Sequence, residues 1–279
     1  NIMVALQKAF IDSIVGAIEG GVDALVIGAG LPTTLPEIIK RADVALIPIV
    51  SSVKALRIIY RRWTDRYKRI PDAVVLEGPL AGGHLGFSFS DLDKDEFRLE
   101  NLFKPIKEFA QTHGDFPVIV AGGIYYREDI VRWVNDIGAD GVQLGTRFAT
   151  TYESDASDDF KQAIINCHGS DIIIAQKPGS PCGLPFRLIK TSPGYISALK
   201  KTRLPKCNRG FVLRKDEAGN FTVCSAKDSG DDFCICNTLL SAQGFTDEEE
   251  PIYTIGQRGH LVDRILSVDE LMDELTGLK

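Results

Sequence analysis

No apolar run in this chain approaches the roughly 18 residues that a membrane-spanning helix needs, which leaves out a spanning role for any segment. A dense basic stretch is also missing. Lys and Arg number 32 against 38 Asp and Glu, a formal net charge of −6 in 279 residues, so the electrostatic footprint of a nucleic-acid binder is lacking. The richest basic run, Arg57 to Lys68, is punctuated by Ile58, Ile59, Tyr60 and Trp63, a pattern that predicts the solvated face of one amphipathic helix. The opening Asn1-Ile2-Met3-Val4 is strand-like and has no basic flank, so no signal peptide is expected and the default compartment is cytoplasmic. Paired Cys-x2-Cys spacing is absent. Of the six cysteines, Cys207, Cys224, Cys234 and Cys236 fall in one stretch near the C-terminus, where zinc, a disulfide or plain thiols remain open; a reducing compartment favours thiols. No metal site is assigned. Low-complexity tracts are lacking too.

What is present is an alternation. Short β-branched runs at Ile2–Leu6, Ala24–Gly28, Val44–Val50, Ala73–Glu77, Pro117–Ala121 and Gly141–Gly145 are followed by helix-period segments at Lys8–Glu19, Leu35–Ala42, Ser52–Tyr67, Asn101–Thr112, Arg127–Ile137 and Asp155–Cys167. Strands that are apolar on both faces and alternate with helices predict a parallel sheet with right-handed crossovers. Six such units fall two short of a closed (β/α)₈ barrel. Beyond Cys167 the pattern changes: Ile172–Ala175 is a short apolar run, and the stretch from Lys177 to Pro185 is turn-rich. A helix is expected at Phe233–Gln243, and an amphipathic helix at Val262–Leu275. The expected organisation is a barrel part at 1–166, an irregular extra region at 167–260, and a terminal helix at 261–279 packing on the barrel.

Two glycine-rich constellations carry chemistry. In the first, a buried strand ends at Glu77-Gly78 and is followed by Ala81-Gly82-Gly83-His84-Leu85-Gly86. Ligands in α/β folds sit at the carboxyl ends of strands. Gly82 and Gly83 let backbone approach a flat or anionic ligand, and His84 supplies an imidazole suited to proton transfer. A loop histidine satisfied by a backbone carbonyl is the plain alternative. His113, His168 and His260 each precede a glycine and read as local capping residues. In the second constellation, Val120-Ala121-Gly122-Gly123-Ile124 and, one helix later, Gln143-Leu144-Gly145-Thr146 end two successive strands. The pair suits a phosphate cradle of bare N–H groups plus the Thr146 hydroxyl; tight turns alone are the alternative.

Taken together, Asn-Ile-Met-Val, Gly-Ala-Gly-Leu-Pro, Pro-Ile-Val-Ser-Ser-Val-Lys, Glu-Gly-x-x-Ala-Gly-Gly-His-x-Gly, Ala-Gly-Gly-Ile and Gly-Val-Gln-Leu-Gly-Thr-Arg-Phe resemble the nitronate monooxygenase (2-nitropropane dioxygenase) family, which is related to FMN-dependent enoyl-ACP reductases. The resemblance implies a (β/α)₈ TIM barrel with a small extra region and FMN as cofactor. It implies His84 as the catalytic histidine, and Asn1, Glu77, Gly82, Gly83, Gly122, Gly123, Gln143, Leu144, Gly145 and Thr146 as cofactor-binding residues. It also implies a loop near the barrel mouth at Cys182. On this reading the first two strands belong ahead of Asn1, and the chain is expected to be truncated or processed. The expected reaction oxidises an alkyl nitronate with dioxygen to a carbonyl compound and nitrite. Glu77 stands where many monooxygenases have Gln and the enoyl reductases have Glu, so an NAD(P)H-dependent reductase acting on an enoyl thioester stays open, as does a non-catalytic fragment. A phosphate-binding barrel of the IMP dehydrogenase type would need a loop Cys between the strands, and none precedes Cys167. The expected partners are a small-molecule substrate and dioxygen, neither nucleic acid nor membrane; a homodimer is left open.

Overall fold

The computed structural model describes residues 1–279 except 6–8, 40–42, 202–203, 207, 213–215, 217, 219, 221 and 279. The described residues form nine strands, numbered in order: β1 (Ile2–Met3), β2 (Ala24–Gly28), β3 (Ala45–Val50), β4 (Val74–Glu77), β5 (Gly83–His84), β6 (Val118–Ala121), β7 (Gly141–Gln143), β8 (Ile172–Ala175) and β9 (Phe186–Ile189). The chain folds as two compact units, one formed by Asn1–Pro79, Ser90–Ala121 and Val131–Gln143, the other by Leu80–Phe89, Gly122–Ile130 and Leu144–Lys279.

The first unit holds a six-stranded sheet in the order β1-β2-β3-β4-β6-β7, every neighbouring pair parallel. All six strands expected from the β-branched runs are present. The helix Val53–Tyr67 covers this sheet because Leu56, Ile59 and Trp63 recur on one face and are fully buried, while Arg57, Arg61, Arg62 and Arg66 stay in water. Burying each such apolar side chain stabilises by about 1.5–3 kcal/mol. Ser52 starts the helix by accepting the Ala55 N–H at 3.2 Å, and Lys68 ends it in a left-handed conformation. The Trp63 indole N–H, which burial would otherwise leave unpaired, donates to the Pro32 carbonyl at 2.9 Å.

Several boundaries differ from the sequence expectation. β1 ends at Met3, and Leu6 lies outside the described residues, as do Lys8 and Lys40–Ala42 of two expected helices. β7 stops at Gln143 because Gly145 (φ −109°, ψ −67°) already turns the chain into the short helix Thr146–Ala149. The expected helix Arg127–Ile137 is α-helical only to Val131 and then takes a π-helical turn over Arg132–Ile137, closed by Gly138 in the left-handed region. The expected helix Asp155–Cys167 is trimmed to Asp158–Ile165, where the Ser157 hydroxyl accepts the Phe160 N–H.

The second unit contains an antiparallel sheet in the order β5-β9-β8. Two apolar clusters among the described residues hold it. One joins Phe160, Ile164, Ile172, Ile189 and Tyr253; the other joins Ala175, Phe186, Leu188, Phe233 and Ile252. Helices at Pro193–Lys200 and Ile235–Ala242 belong to this unit. The last helix, Val268–Thr276, begins later than the apolar pattern predicts because the Ser267 and Glu270 capping box fixes its first turn. Among the described residues no helix is long and apolar enough to cross a membrane.

Candidate active site

In the sheet unit, the carboxyl ends of three strands lie side by side. Glu77 is paired with Ala121, and Ala121 with Gln143. Glu77 closes a strand whose other residues are buried, and its carboxyl makes no hydrogen bond among the described residues. Burial pushes its pKa from 4.5 up to about 7, since the charged form loses its hydration without gaining a partner. Asn1 is exposed and stands directly before β1.

In the second unit, Gly83 takes φ +69°, a conformation that a side chain would strain, and opens the two-residue strand β5. β5 pairs with β9, Gly83 opposite Arg187 and His84 opposite Phe186. The His84 ring meets the Phe186 ring edge-on with centroids 4.7 Å apart. Its Nε2 lies 2.7 Å from the Ser180 hydroxyl, and that hydroxyl lies 3.1 Å from the Cys182 sulfur. His84 is half-buried and Ser180 is 3% exposed. Burial lowers the His84 pKa from 6.5 to about 4, so the ring is neutral across the physiological range.

The segment from Ile255 to Gly259 laces the glycine turns of this unit together. Gly256 N–H donates to the Thr146 hydroxyl at 3.0 Å, and Gln257 N–H donates to the Leu80 carbonyl at 3.0 Å. Arg258 donates to the Gly123 carbonyl at 2.9 Å and to Asp129 at 2.7 Å. Asp129 also accepts the Tyr125 and Tyr126 N–H groups. Burial alone would raise the Asp129 pKa, but these bonds outweigh it and hold the carboxyl below its usual range. A Cβ on Gly82 would stand 2.6 Å from the Ile255 carbonyl carbon and 2.8 Å from the Gly256 nitrogen; the absent side chain is what lets these two backbones touch. Gly122 (φ +95°) and Gly123 (φ +84°) form a tandem left-handed turn. At Gly145, in contrast, an added Cβ would meet nothing within 4 Å. Leu144 is half-buried between Gln143 and Gly145.

His84, Gly82, Gly83, Gly122, Gly123, Leu144, Gly145 and Thr146 therefore belong to one unit, whereas Asn1, Glu77 and Gln143 belong to the other. The sequence does not mark Ser180 as a partner of His84, nor the Ile255–Gly259 strap, whose signal is the pair Gly256 and Gly259 on either side of Gln257-Arg258. Sequence reasoning also missed β9, although Phe186-Arg187-Leu188-Ile189 is a buried run after a turn-rich stretch. Arg187 on β9 is buried and donates to the Ala81 carbonyl, anchoring the loop that leads into His84.

The remaining histidines are local. His113 follows its helix, bonds the Phe109 carbonyl and stacks on the Phe109 ring at 3.9 Å. His168 caps a 3₁₀ turn, and His260 bonds the Gln257 carbonyl. Cys167, Cys182, Cys224, Cys234 and Cys236 form no disulfide with one another, and Cys207 lies outside the described residues. Burial, with the Asp171 charge nearby, raises the Cys167 thiol to about 11. Among the described residues no group of three or more His, Cys, Asp or Glu side chains is placed to hold a metal ion.

Comparison with known proteins follows the same lines. The nitronate monooxygenase family model matches residues 1–277. A probable nitronate monooxygenase of Staphylococcus aureus (strain JH9) is 30% identical over 148 residues, which cover 53% of this chain and 39% of that protein. The chain thus spans about two fifths of the length of this curated relative. FabK from Thermotoga maritima superposes with a TM-score of 0.68 at 24% identity, over 99% of this chain and 74% of that one. Nitroalkane oxidase from Streptomyces ansochromogenes gives 0.63 at 20% identity, over 97% and 67%. The fold is accordingly α/β, of the (β/α)₈ TIM-barrel type, with a six-stranded parallel sheet among the described residues. The family match over nearly every residue is decisive: the chain belongs to the nitronate monooxygenase family.

Proposed function

We propose that this chain serves an FMN-dependent oxidoreductase that oxidises alkyl nitronates with dioxygen to a carbonyl compound and nitrite. The observation that carries the reading is His84: a neutral imidazole at a strand end, fixed through Nε2 by Ser180, with Nδ1 bonded to nothing among the described residues. Family membership supports the flavin.

The donor set fits FMN. The Gly122–Gly123 turn and the Gly145–Thr146 turn offer backbone N–H groups, and the open space at Gly145 suits a bulky anion. Arg258 and Gly256 hold these turns in place from the strap. Leu144 supplies an apolar contact beside them. Asn1, Glu77, Gly82, Gly83 and Gln143 carry the same cofactor assignment on the family resemblance alone. FMN, once bound, supplies the electron transfer to dioxygen. His84 orients the nitro compound by hydrogen bonding, and the Phe186 ring fixes the plane of the imidazole.

A second reading is an enoyl reductase using NAD(P)H. It is favoured by Glu77, whose raised pKa keeps a proton available near neutrality. Titration with FMN followed by absorbance tests the cofactor. Nitronate-dependent oxygen uptake then supports the first reading, and anaerobic bleaching by NADH supports the second.

A further inference from the structure

A three-atom chain runs from the Cys182 sulfur through the Ser180 hydroxyl to His84 Nε2, with separations of 3.1 and 2.7 Å. A hydroxyl has one proton, and with that proton given to one of its two neighbours here the chain has two polarities. In one, Cys182 S–H donates to Ser180, and Ser180 O–H donates to the imine nitrogen at Nε2. In the other, Nε2–H donates to Ser180, and Ser180 O–H donates to sulfur. The first pairs the stronger donor, a hydroxyl, with the stronger acceptor, an imine nitrogen. The second uses that hydroxyl on a weakly accepting thiol. A separation of 2.7 Å between oxygen and nitrogen also suits a short O–H···N bond. Ser180 is 3% exposed, so water does not compete for its proton.

We infer that Ser180, backed by Cys182, is a positioning residue that holds His84 as the Nδ1–H tautomer and so makes it a hydrogen-bond donor suited to an anionic nitronate rather than a base for a neutral nitroalkane. With Nε2 occupied as an acceptor and Nδ1 carrying the proton, the neutral ring has no free lone pair with which to remove a proton from carbon. It has one N–H to offer, and no other described residue takes it. A nitronate oxygen, which carries negative charge, is the ligand chemistry that such a donor recognises. This inference rests on the proposed oxidase reading, which supplies the substrate.

The test reads the tautomer separately from turnover. Long-range ¹H–¹⁵N spectra of the ¹⁵N-histidine-labelled, flavin-loaded protein near pH 7 resolve four histidines, and His84→Gln assigns the ring in question. The expected result is a pyrrole-type Nδ1 and an imine-type Nε2 in the wild type, a mixed or reversed ring in Ser180→Ala, and restoration in Ser180→Thr. In parallel, the wild type should favour the nitronate over the matching nitroalkane at least about tenfold in kcat/KM. Ser180→Ala should raise the nitronate KM roughly tenfold with kcat within about twofold, the signature of a lost binding interaction. A wild-type ring protonated at Nε2 overturns the inference, and needs no variant to fold. An unchanged tautomer and an unchanged substrate ratio in Ser180→Ala overturn it equally. Absence of turnover with either nitro compound, beside the expected tautomer, sinks the oxidase reading instead and leaves the assignment of the ring standing.

Discussion

Replacing Glu77 by Gln removes a buried charge and keeps the shape, and its effect on stability should depend on pH. The carboxyl goes from 4.5 to about 7 on folding. A group whose folded pKa is raised contributes stability that is full below the unfolded value and is lost as pH rises through the folded one. For Glu77 the loss amounts to roughly 3 kcal/mol once pH exceeds about 7. His84 runs the other way. Its pKa falls from 6.5 to about 4, so its contribution is full above the unfolded value and drains as pH falls toward 4, again by roughly 3 kcal/mol. Between these limits the two slopes oppose each other, and the wild type should show little pH dependence from this pair. Glu77→Gln unmasks the histidine. Urea denaturation of the flavin-free chain should find the variant about as stable as the wild type near pH 4.5 and more stable by up to roughly 3 kcal/mol near pH 8. A stability difference that does not change with pH would refute the reasoning, because it would mean that Glu77 ionises in the fold as it does in water.

Two further outcomes follow from the glycine turns and their strap. Gly82→Ala drives a Cβ into the Ile255–Gly256 backbone and should cost roughly 3 kcal/mol, whereas Gly145→Ala points into open space and should leave the melting temperature unchanged while weakening FMN binding; thermal melts and a flavin titration separate the two. Arg258→Ala removes the bonds to the Gly123 carbonyl and Asp129, and flavin affinity should fall about tenfold; equal affinity by fluorescence titration would mean that the Gly122–Gly123 turn does not need its brace.

The sheet was legible because its strands are β-branched apolar runs, several with a glycine at or just past the end, and such runs leave few alternatives to a strand buried on both faces. Helix ends were less so. Ser157 and the Ser267–Glu270 box decide them through single hydrogen bonds that outweigh the apolar period around them. His84 and the glycines around it stood out by spacing. What surrounds them did not. β5 is two residues long and exists because β9 pairs with it from about a hundred positions away, and no local pattern announces such a strand. Gly82 is instructive: the sequence marks it as a place of close backbone approach, and the structure brings the Ile255–Gly256 backbone to where its Cβ would stand. Ser180 sits in a Pro- and Gly-rich turn that reads as connector, and only the fold puts its hydroxyl on the histidine.

In the function proposed for this chain, His84 acts on a nitro compound beside bound FMN. Oxygen uptake with an alkyl nitronate, measured for flavin-loaded wild type and His84→Ala at equal flavin content, tests it most directly. Nitronate-dependent uptake by the wild type is expected, with a loss of roughly a hundredfold or more in kcat/KM for the variant and its flavin retained. Equal kcat/KM in the two proteins would contradict it.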